Sequence, residues 1–368
     1  MNADSTIQLA YALQRDDFCL DVKLELPLRG ITGVFGQSGA GKTTLLRCIA
    51  GLERPEAGRL VVAGELWQDG FQKVWRAVHQ RNIGYVFQEP RLFDHLDVRG
   101  NIDYGMRRSE HDNGTDADHV IDLLGLENLL ARKPDVLSGG EAQRVAIARA
   151  LLRAPRFVLM DEPLASLDQA RKDEIFPFLE RLHAESDVPI IYVSHNLDEI
   201  CRLCDHLVVL DAGSVVADGD LQSVLVRTDL PALTGADAGS VIQGRVESYD
   251  QQDDLSLVRF SGGTLWVLGR PGPEGAGVRA RIKANDVSLC RTRPEKSTIL
   301  NILPATIEAI QDDPGPSVLV RLIIGTDKLV ARVTRRSARE LALKKGDELF
   351  VQIKSVVVRH QSDKSKEE

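Results

Sequence analysis

The stretch Gly36-Gln37-Ser38-Gly39-Ala40-Gly41-Lys42-Thr43 constrains this chain more than any other. It has the spacing G-x-x-x-x-G-K-[ST], follows the apolar run ITGVF and opens the helical pattern KTTLLRCIAGL. Its glycines let several backbone N–H groups converge on anionic oxygens, and the positive end of the next helix adds favourable potential. A Gly-rich turn with an incidental lysine would not require both flanking elements. Residues Gly36, Gln37, Ser38, Gly39, Ala40 and Gly41 would form the cradle. Lys42 would lie along β- and γ-phosphates, and the Thr43 hydroxyl, with Thr44 beside it, would face Mg²⁺.

The first two thirds of the chain alternate β-branched runs with helical patterns, which predicts an α/β domain. Strands are expected at IGYVFQ from Ile83, RFVLMD from Arg156 and PIIYVSH from Pro189, with a hairpin of HLVVLDAG and SVVADG near Gly213. Helices are expected at EAQRVAIARALL and RKDEIFPFLERLHAE. A polar insertion with short helical pieces, about residues 89–135, reads as a separate lobe. The Pro-, Gly-, Ala- and Asp-rich TDLPALTGADAGS places a boundary between domains 1–235 and 236–368. Beyond it the pattern is all-β and repeats itself: GAGVRARIK, ending at Lys283, matches GDELFVQIK, ending at Lys354. Upstream, RVESYDQQDDLSLVRF resembles TIEAIQDDPGPSVLVRL, so two OB-like halves are expected. Chance similarity between alternating strands is the alternative.

A formal net charge of −8 argues against a general nucleic-acid binder, which needs a basic face. No apolar run approaches the length of a bilayer span, and the start lacks the basic-then-apolar pattern of a secretion signal. Five cysteines form no disulfide framework, which fits a reducing compartment. Cys201 and Cys204 make a C-x-x-C without a second metal-ligand pair and read as ordinary helix residues.

RFVLMDEP puts Asp161 and Glu162 at the carboxyl end of a buried strand, where ligands bind in open α/β sheets. Asp161 would hold Mg²⁺, and Glu162 would orient or deprotonate an attacking water. A capping pair at a strand–helix junction is the plainer explanation for two such carboxylates taken alone. His195 ends PIIYVSH and is placed to sense a γ-phosphate, although a lone His after a strand is more often a surface residue. Gln88 ends IGYVFQ at the entrance to the inserted lobe, where its amide could reach Mg²⁺ or water. In LSGGE, Ser138 and Glu141 fit a capping box. The box does not explain the two glycines, Gly139 and Gly140, at the positive end of a helix. Because Lys42 already serves one set of phosphates, this second helix end suggests contact with the nucleotide of another copy.

Taken in order, GQSGAGKTT, YVFQE, LSGGEAQRVAIARAL, VLMDEP, LASLD and YVSHN resemble the ATP-binding-cassette (ABC) transporter ATPases. The resemblance implies a P-loop ATPase acting on ATP with Mg²⁺, in a head-to-tail homodimer. Each LSGG helix would close on the partner's ATP through Ser138 and Gly140, with Asp168 lining the seam. It also implies an adenine-stacking aromatic, with Tyr11 as first candidate and Phe18 as competitor. Glu141 stands where this family often has Gln, but it preserves the capping box. The absence of a fused membrane segment and the β-rich tail resemble the importer branch. There the subunit sits on the cytoplasmic side of the cell membrane, bound to a permease and served by a solute-binding protein.

RLFDHLDVRGNIDYGM, LDQARKDEIFPFLERL and RIKANDVSL are similar to the molybdate importer ATPases, and about residues 296–360 are similar to the molybdenum-pterin-binding (Mop) fold. That similarity implies molybdate or tungstate contacts at Ser297, Thr298, Asn301, Lys354 and Ser355. Leu300 stands where such domains are often basic. An importer ATPase for sulfate, iron, polyamine or sugar is the alternative. A soluble ABC ATPase of DNA repair or translation would be expected to carry two cassettes or a long coiled coil. An oxyanion store without turnover would not need the catalytic set.

Overall fold

A computed structural model describes residues 5–15, 18–107, 116–235, 237–313, 315–354 and 356–361, with side chains up to residue 358. The chain divides into two compact units, Met1–Gly219 and Asp220–Glu368.

The first unit opens with two strands, β1 (Thr6–Arg15) and β2 (Phe18–Pro27), paired antiparallel along their whole length. Then come β3 (Ile31–Phe35), α1 (Lys42–Ala50), β4 (Ala57–Val62), β5 (Glu65–Asp69), β6 (Val74–Trp75) and β7 (Ile83–Val86). Next follow α2 (Val98–Met106), α3 (Ala117–Leu123), α4 (Gly139–Leu151), β8 (Phe157–Asp161) and α5 (Gln169–Glu185). The unit closes with β9 (Ile190–Ser194), α6 (Leu197–Leu203), β10 (His206–Asp211) and β11 (Ser214–Asp220). All eleven strands form one sheet in the order β6-β5-β4-β1-β2-β11-β10-β3-β9-β8-β7.

Its two halves obey different rules. β10, β3, β9, β8 and β7 run parallel and are covered by helices, so β3, β8 and β9 are buried at every residue. Such strands read as continuous apolar runs. The antiparallel half bears one core face, so β1 and β2 alternate buried and exposed residues. Those strands escape a search for apolar runs, yet the period-two pattern TIQLAYALQR announces them. The segment between β7 and α4 supplies α2 and α3, and α2 packs along α4.

The second unit begins with α7 (Leu221–Leu225). Its division from the first unit falls upstream of the expected one, because Val226 already packs with Ala238, Ala284, Leu319 and Val330. Thr228 Oγ1 likewise donates to Gln311. The strands are β12 (Gly239–Asp250), β13 (Leu255–Phe260), β14 (Gly263–Leu268), β15 (Gly277–Lys283) and β16 (Val287–Cys290). After them come β17 (Asn301–Asp312), β18 (Ser317–Ile324), β19 (Asp327–Thr334), α8 (Arg335–Glu340), β20 (Glu348–Ile353) and β21 (Val357–Gln361).

The sequence repeat is a structural repeat. β12, β13, β14 and β15 recur as β17, β18, β19 and β20, in two sheets ordered β14-β13-β12-β15-β21 and β16-β20-β17-β18-β19. Both halves carry a β-bulge at the same place, around Glu247 and Glu308. Each bulge glutamate pairs with an arginine on the next strand, Arg259 or Arg321. The last strand of each repeat is exchanged. β16 pairs with β20 of the second repeat, and β21 pairs with β15 of the first.

Candidate active site

β3, β9, β8 and β7 are neighbours, and their carboxyl ends are level. Phe35 pairs with Ser194, Val193 with Asp161, and Met160 with Val86. Just past those ends lie the phosphate loop, His195, the Asp161–Glu162 pair and Gln88. The four motifs, scattered over 160 residues of chain, therefore meet along one rim of the sheet.

In the loop, Gly39 (φ +83°) and Gly41 (φ +97°) adopt the left-handed conformation that L side chains avoid. A Cβ on Gly39 would meet nothing within 4 Å, so the mouth of the loop is open. Gln37 and Ser38 are exposed, Ala40 is buried and Thr44 is half-buried. Lys42 is buried, with Nζ donating to Gly36 O at 2.9 Å and Gln37 O at 3.1 Å. It also lies 3.5 Å from Glu162 Oε1. The ammonium is thus held at the loop by carbonyls of the loop itself, with a carboxylate alongside.

Thr43 Oγ1 donates to Asp161 Oδ1 at 2.9 Å, and Tyr85 Oη donates to Oδ2 at 3.1 Å. Burial raises the Asp161 pKa above the usual carboxylate range, while these two hydrogen bonds oppose the shift. Burial likewise pushes the Tyr85 phenol far up, so it remains a donor. A hydroxyl and a carboxylate side by side suit Mg²⁺, which takes one or two protein oxygens and fills its octahedron with phosphate and water. Tyr85 was not among the residues the sequence singled out, because nothing in IGYVF distinguishes it from an ordinary strand aromatic.

Glu162 has φ +46°, a left-handed conformation that costs a non-glycine residue about 1–2 kcal/mol. Its own N–H is tied to Val193 O at 3.1 Å. The turn aims the carboxylate back along the rim, where Oε2 meets His195 Nδ1 at 2.9 Å. Gln88 is exposed, and α4 holds the backbone on both sides of it. Gln143 Nε2 donates to Phe87 O at 3.3 Å and Arg149 Nη2 to Pro90 O at 3.1 Å.

At the start of α4 the capping box is complete. Glu141 N donates to Ser138 Oγ at 3.3 Å, and Ser138 N donates to Glu141 Oε2 at 2.7 Å. The backbone N–H of Ser138 holds the Glu141 carboxyl below its usual range, so glutamate serves here as well as glutamine would. A Cβ on Gly139 would lie 3.0 Å from the Leu167 Cδ2 methyl, and one on Gly140 3.4 Å from the Ile175 Cδ1 methyl. Packing within the chain therefore tolerates a side chain at Gly140. Ser138 is exposed and Gly139 half-exposed, whereas Gly140 is buried over Ile175. Asp168, the exposed N-cap of α5, accepts from Arg171 N at 2.9 Å.

Two expectations are corrected. Tyr11 does not stack on adenine: it is 2% exposed, on the core face of β1 with Ile7, Leu9 and Leu13. Phe18, the competing candidate, lies against the phosphate loop, since a Cβ on Gly41 would lie 2.7 Å from Phe18 Cζ. In the second unit, Asn301 is buried and its amide is engaged. Its Oδ1 accepts from Trp266 N at 2.7 Å and its Nδ2 donates to Trp266 O at 2.9 Å. Asn301 thus acts as one more rung on the edge strand β14 rather than as an open ligand. Ser297 and Thr298 precede β17 and are exposed, as is Lys354 just after β20. Ser297 Oγ accepts from Gln352 Nε2 at 2.9 Å. Ser355 lies outside the described residues.

A phosphate loop, a carboxylate pair and a histidine on one rim, with a glycine-opened helix beyond, define an ABC ATPase. The ABC transporter family model matches residues 19–165, and the TOBE domain model matches residues 297–359. The chain is 52% identical to the Molybdenum import ATP-binding protein ModC of Methylococcus capsulatus, over 93% of this chain and 96% of that protein. It is 49% identical to ModC 1 of Azotobacter vinelandii, over 97% and 99%. It is 50% identical to ModC of Thiobacillus denitrificans, over 96% and 98%. The chain belongs to this family of molybdenum import ATP-binding proteins.

Proposed function

We infer that the chain is the ATP-hydrolysing subunit that energises a molybdate importer. The observation that carries this reading is the complete catalytic rim in a chain alike over nearly its whole length to molybdenum import ATP-binding proteins. Deleting the chain should lower cellular molybdenum at limiting molybdate, with sulfate, iron and polyamine uptake unaffected. Unchanged molybdenum content would refute the assignment of the transported ion.

Water attacks the γ-phosphorus in line, the new P–O bond forms as the β,γ-bridging bond breaks, and Glu162 takes the proton from the water. His195, bonded to Glu162, orients that carboxylate and faces the γ-phosphate. Lys42 and the loop N–H groups stabilise charge spreading onto the phosphate oxygens. When bound, Mg²⁺ supplies Lewis-acid polarisation of those oxygens, and Thr43 and Asp161 are the residues that would hold it, with Gln88 nearby. Glu162→Gln keeps the shape but removes the base. It should cut turnover by about 10²–10⁴-fold while MgATP still binds, and phosphate release at the native rate would exclude Glu162 from that role.

The α4 end, with Ser138 and Gly140, completes the site on a second copy in a head-to-tail homodimer. Among the described residues no helix is long and apolar enough to cross a membrane. In this reading a separate permease, fed by a solute-binding protein, provides the path that ATP hydrolysis drives. The subunit then works as a peripheral protein on the cytoplasmic side of the cell membrane. The second unit regulates. Ser297, Thr298 and Lys354 are its exposed groups for an oxyanion, while Asn301 braces the fold.

A further inference from the structure

Behind His195 lies a buried carboxylate that the mechanism above does not use. Glu199, on α6, is 3% exposed and accepts three hydrogen bonds. Lys172 Nζ donates to its Oε1 at 2.8 Å, while Tyr192 Oη at 3.0 Å and Ser194 Oγ at 2.8 Å both donate to its Oε2. A buried charge of this kind is costly unless fully satisfied, and it persists only with such a set of donors. Tyr192 sits in the core with a phenol held well above its usual pKa, first by burial and then by the Glu199 charge.

The geometry bears on His195 directly. Ser194 Oγ, fixed by Glu199, also accepts from Asn196 N at 3.0 Å, so one hydroxyl bridges the residues on either side of His195. Asn196 Oδ1 in turn accepts from Asp198 N at 2.9 Å and Glu199 N at 3.4 Å, closing the ring through the first turn of α6. Lys172 brings in a third element. Its N–H bonds to Asp168 O at 3.0 Å, one turn into α5. From these contacts we propose that Glu199 is a positioning residue for hydrolysis: acting through Ser194, it fixes the His195 backbone so that the imidazole meets Glu162, and through Lys172 it links that clamp to the α5 turn at Asp168.

Replacing Glu199 by glutamine shows what the charge does. The carboxylate offers two acceptor oxygens to three donors, whereas an amide offers one oxygen and one NH₂. With the oxygen towards Ser194, the NH₂ faces the Lys172 ammonium. With the amide reversed, it competes for the Ser194 oxygen that Asn196 N needs. Either way His195 loosens, but the phosphate loop is untouched.

The proposal rests on the ATPase reading of the site, and phosphate release from MgATP by the full-length chain tests both. E199Q and S194A should each lower kcat roughly ten- to a hundredfold, as small misplacements of catalytic groups do. KM for ATP should stay within about twofold, because ground-state binding is made elsewhere. The E199Q/S194A double variant should be no worse than E199Q alone. On an H195A background neither change should lower the residual rate further. Adding K172M to E199Q should recover activity, since the ammonium no longer opposes the amide. If E199Q does not fold, the cycle of S194A with H195A carries the test, as it removes one hydroxyl only. Wild-type chain without turnover, or turnover indifferent to H195A, would sink the reading of the site itself. Turnover lost in H195A but intact in E199Q and S194A would sink only the role of Glu199. So would a raised KM with unchanged kcat, or an equal loss on the H195A background.

Discussion

Asn301→Asp separates a structural brace from an oxyanion ligand, because the two roles predict opposite behaviour with pH. The native amide accepts from Trp266 N and donates to Trp266 O. An ionised carboxylate keeps the first bond, loses the second and sets a negative oxygen beside a carbonyl. Leaving Trp266 O without its donor and burying a charge at a site 7% exposed should cost about 2–4 kcal/mol. A protonated carboxyl, by contrast, donates as the amide did and restores both bonds. The folded-state pKa of the introduced group therefore rises above its unfolded value of about 3.9, by roughly 1.5–3 units. Destabilisation should be full above that raised pKa and should vanish as pH falls below about 4. Hydrogen exchange of the β14 amides in the full-length chain reads this opening locally. At neutral pH the variant should exchange about 30- to 1,000-fold faster than wild type, and the ratio should close on acidification. Equal exchange at both pH values, together with lost molybdate binding, would refute the brace and restore Asn301 as a ligand.

Three further outcomes follow from the site. Tyr85→Phe removes one of the two hydrogen bonds that oppose the burial-raised Asp161 pKa, so that pKa rises further. Mg²⁺ needs the carboxylate form, and the acid limb of MgATP hydrolysis should move up by about one pH unit; an unmoved limb would count against Asp161 as the metal-side carboxylate. Gly140→Ala should leave the fold unharmed or stabilise α4 by up to about 1 kcal/mol, because Ile175 leaves ordinary room. It should nevertheless cut turnover at least tenfold through the dimer contact, and a melting curve beside full activity would remove Gly140 from that contact. Dilution of the isolated chain should lower turnover per subunit, as expected of a site assembled from two copies; concentration-independent turnover would contradict it.

The parallel half of the first unit was legible because strands buried on both faces are unbroken apolar runs ending in the residues that do chemistry. VLMDEP and IIYVSH announce both the strand and the site. The antiparallel half was written in alternation, and neglecting it produced the error at Tyr11. In TIQLAYALQR the residues Ile7, Leu9, Tyr11 and Leu13 share one parity, and that parity faces the core. Reading the period would have turned attention to Phe18. The polar couplings behind the rim were not legible. Tyr85, Glu199 and Lys172 have no spacing that sets them apart, and only the superposition of β7, β9, α5 and α6 joins them to their targets. In the second unit the repeat could be read, but the strand exchange could not, since partner choice leaves no mark in the pattern of a single strand.

That exchange changes what can be cut from this protein. The stretch 297–359 looks like a detachable module by sequence, yet its final strand, β21, completes the sheet of the preceding repeat, while its own sheet is completed by β16. Excised, the module would carry a surplus strand and a bare edge at β20. Two excised copies would satisfy each other by trading the surplus, so isolating the piece should favour a strand-exchanged dimer. A nick between the repeats would have a different effect: both fragments would stay clasped, each holding the other's sheet closed.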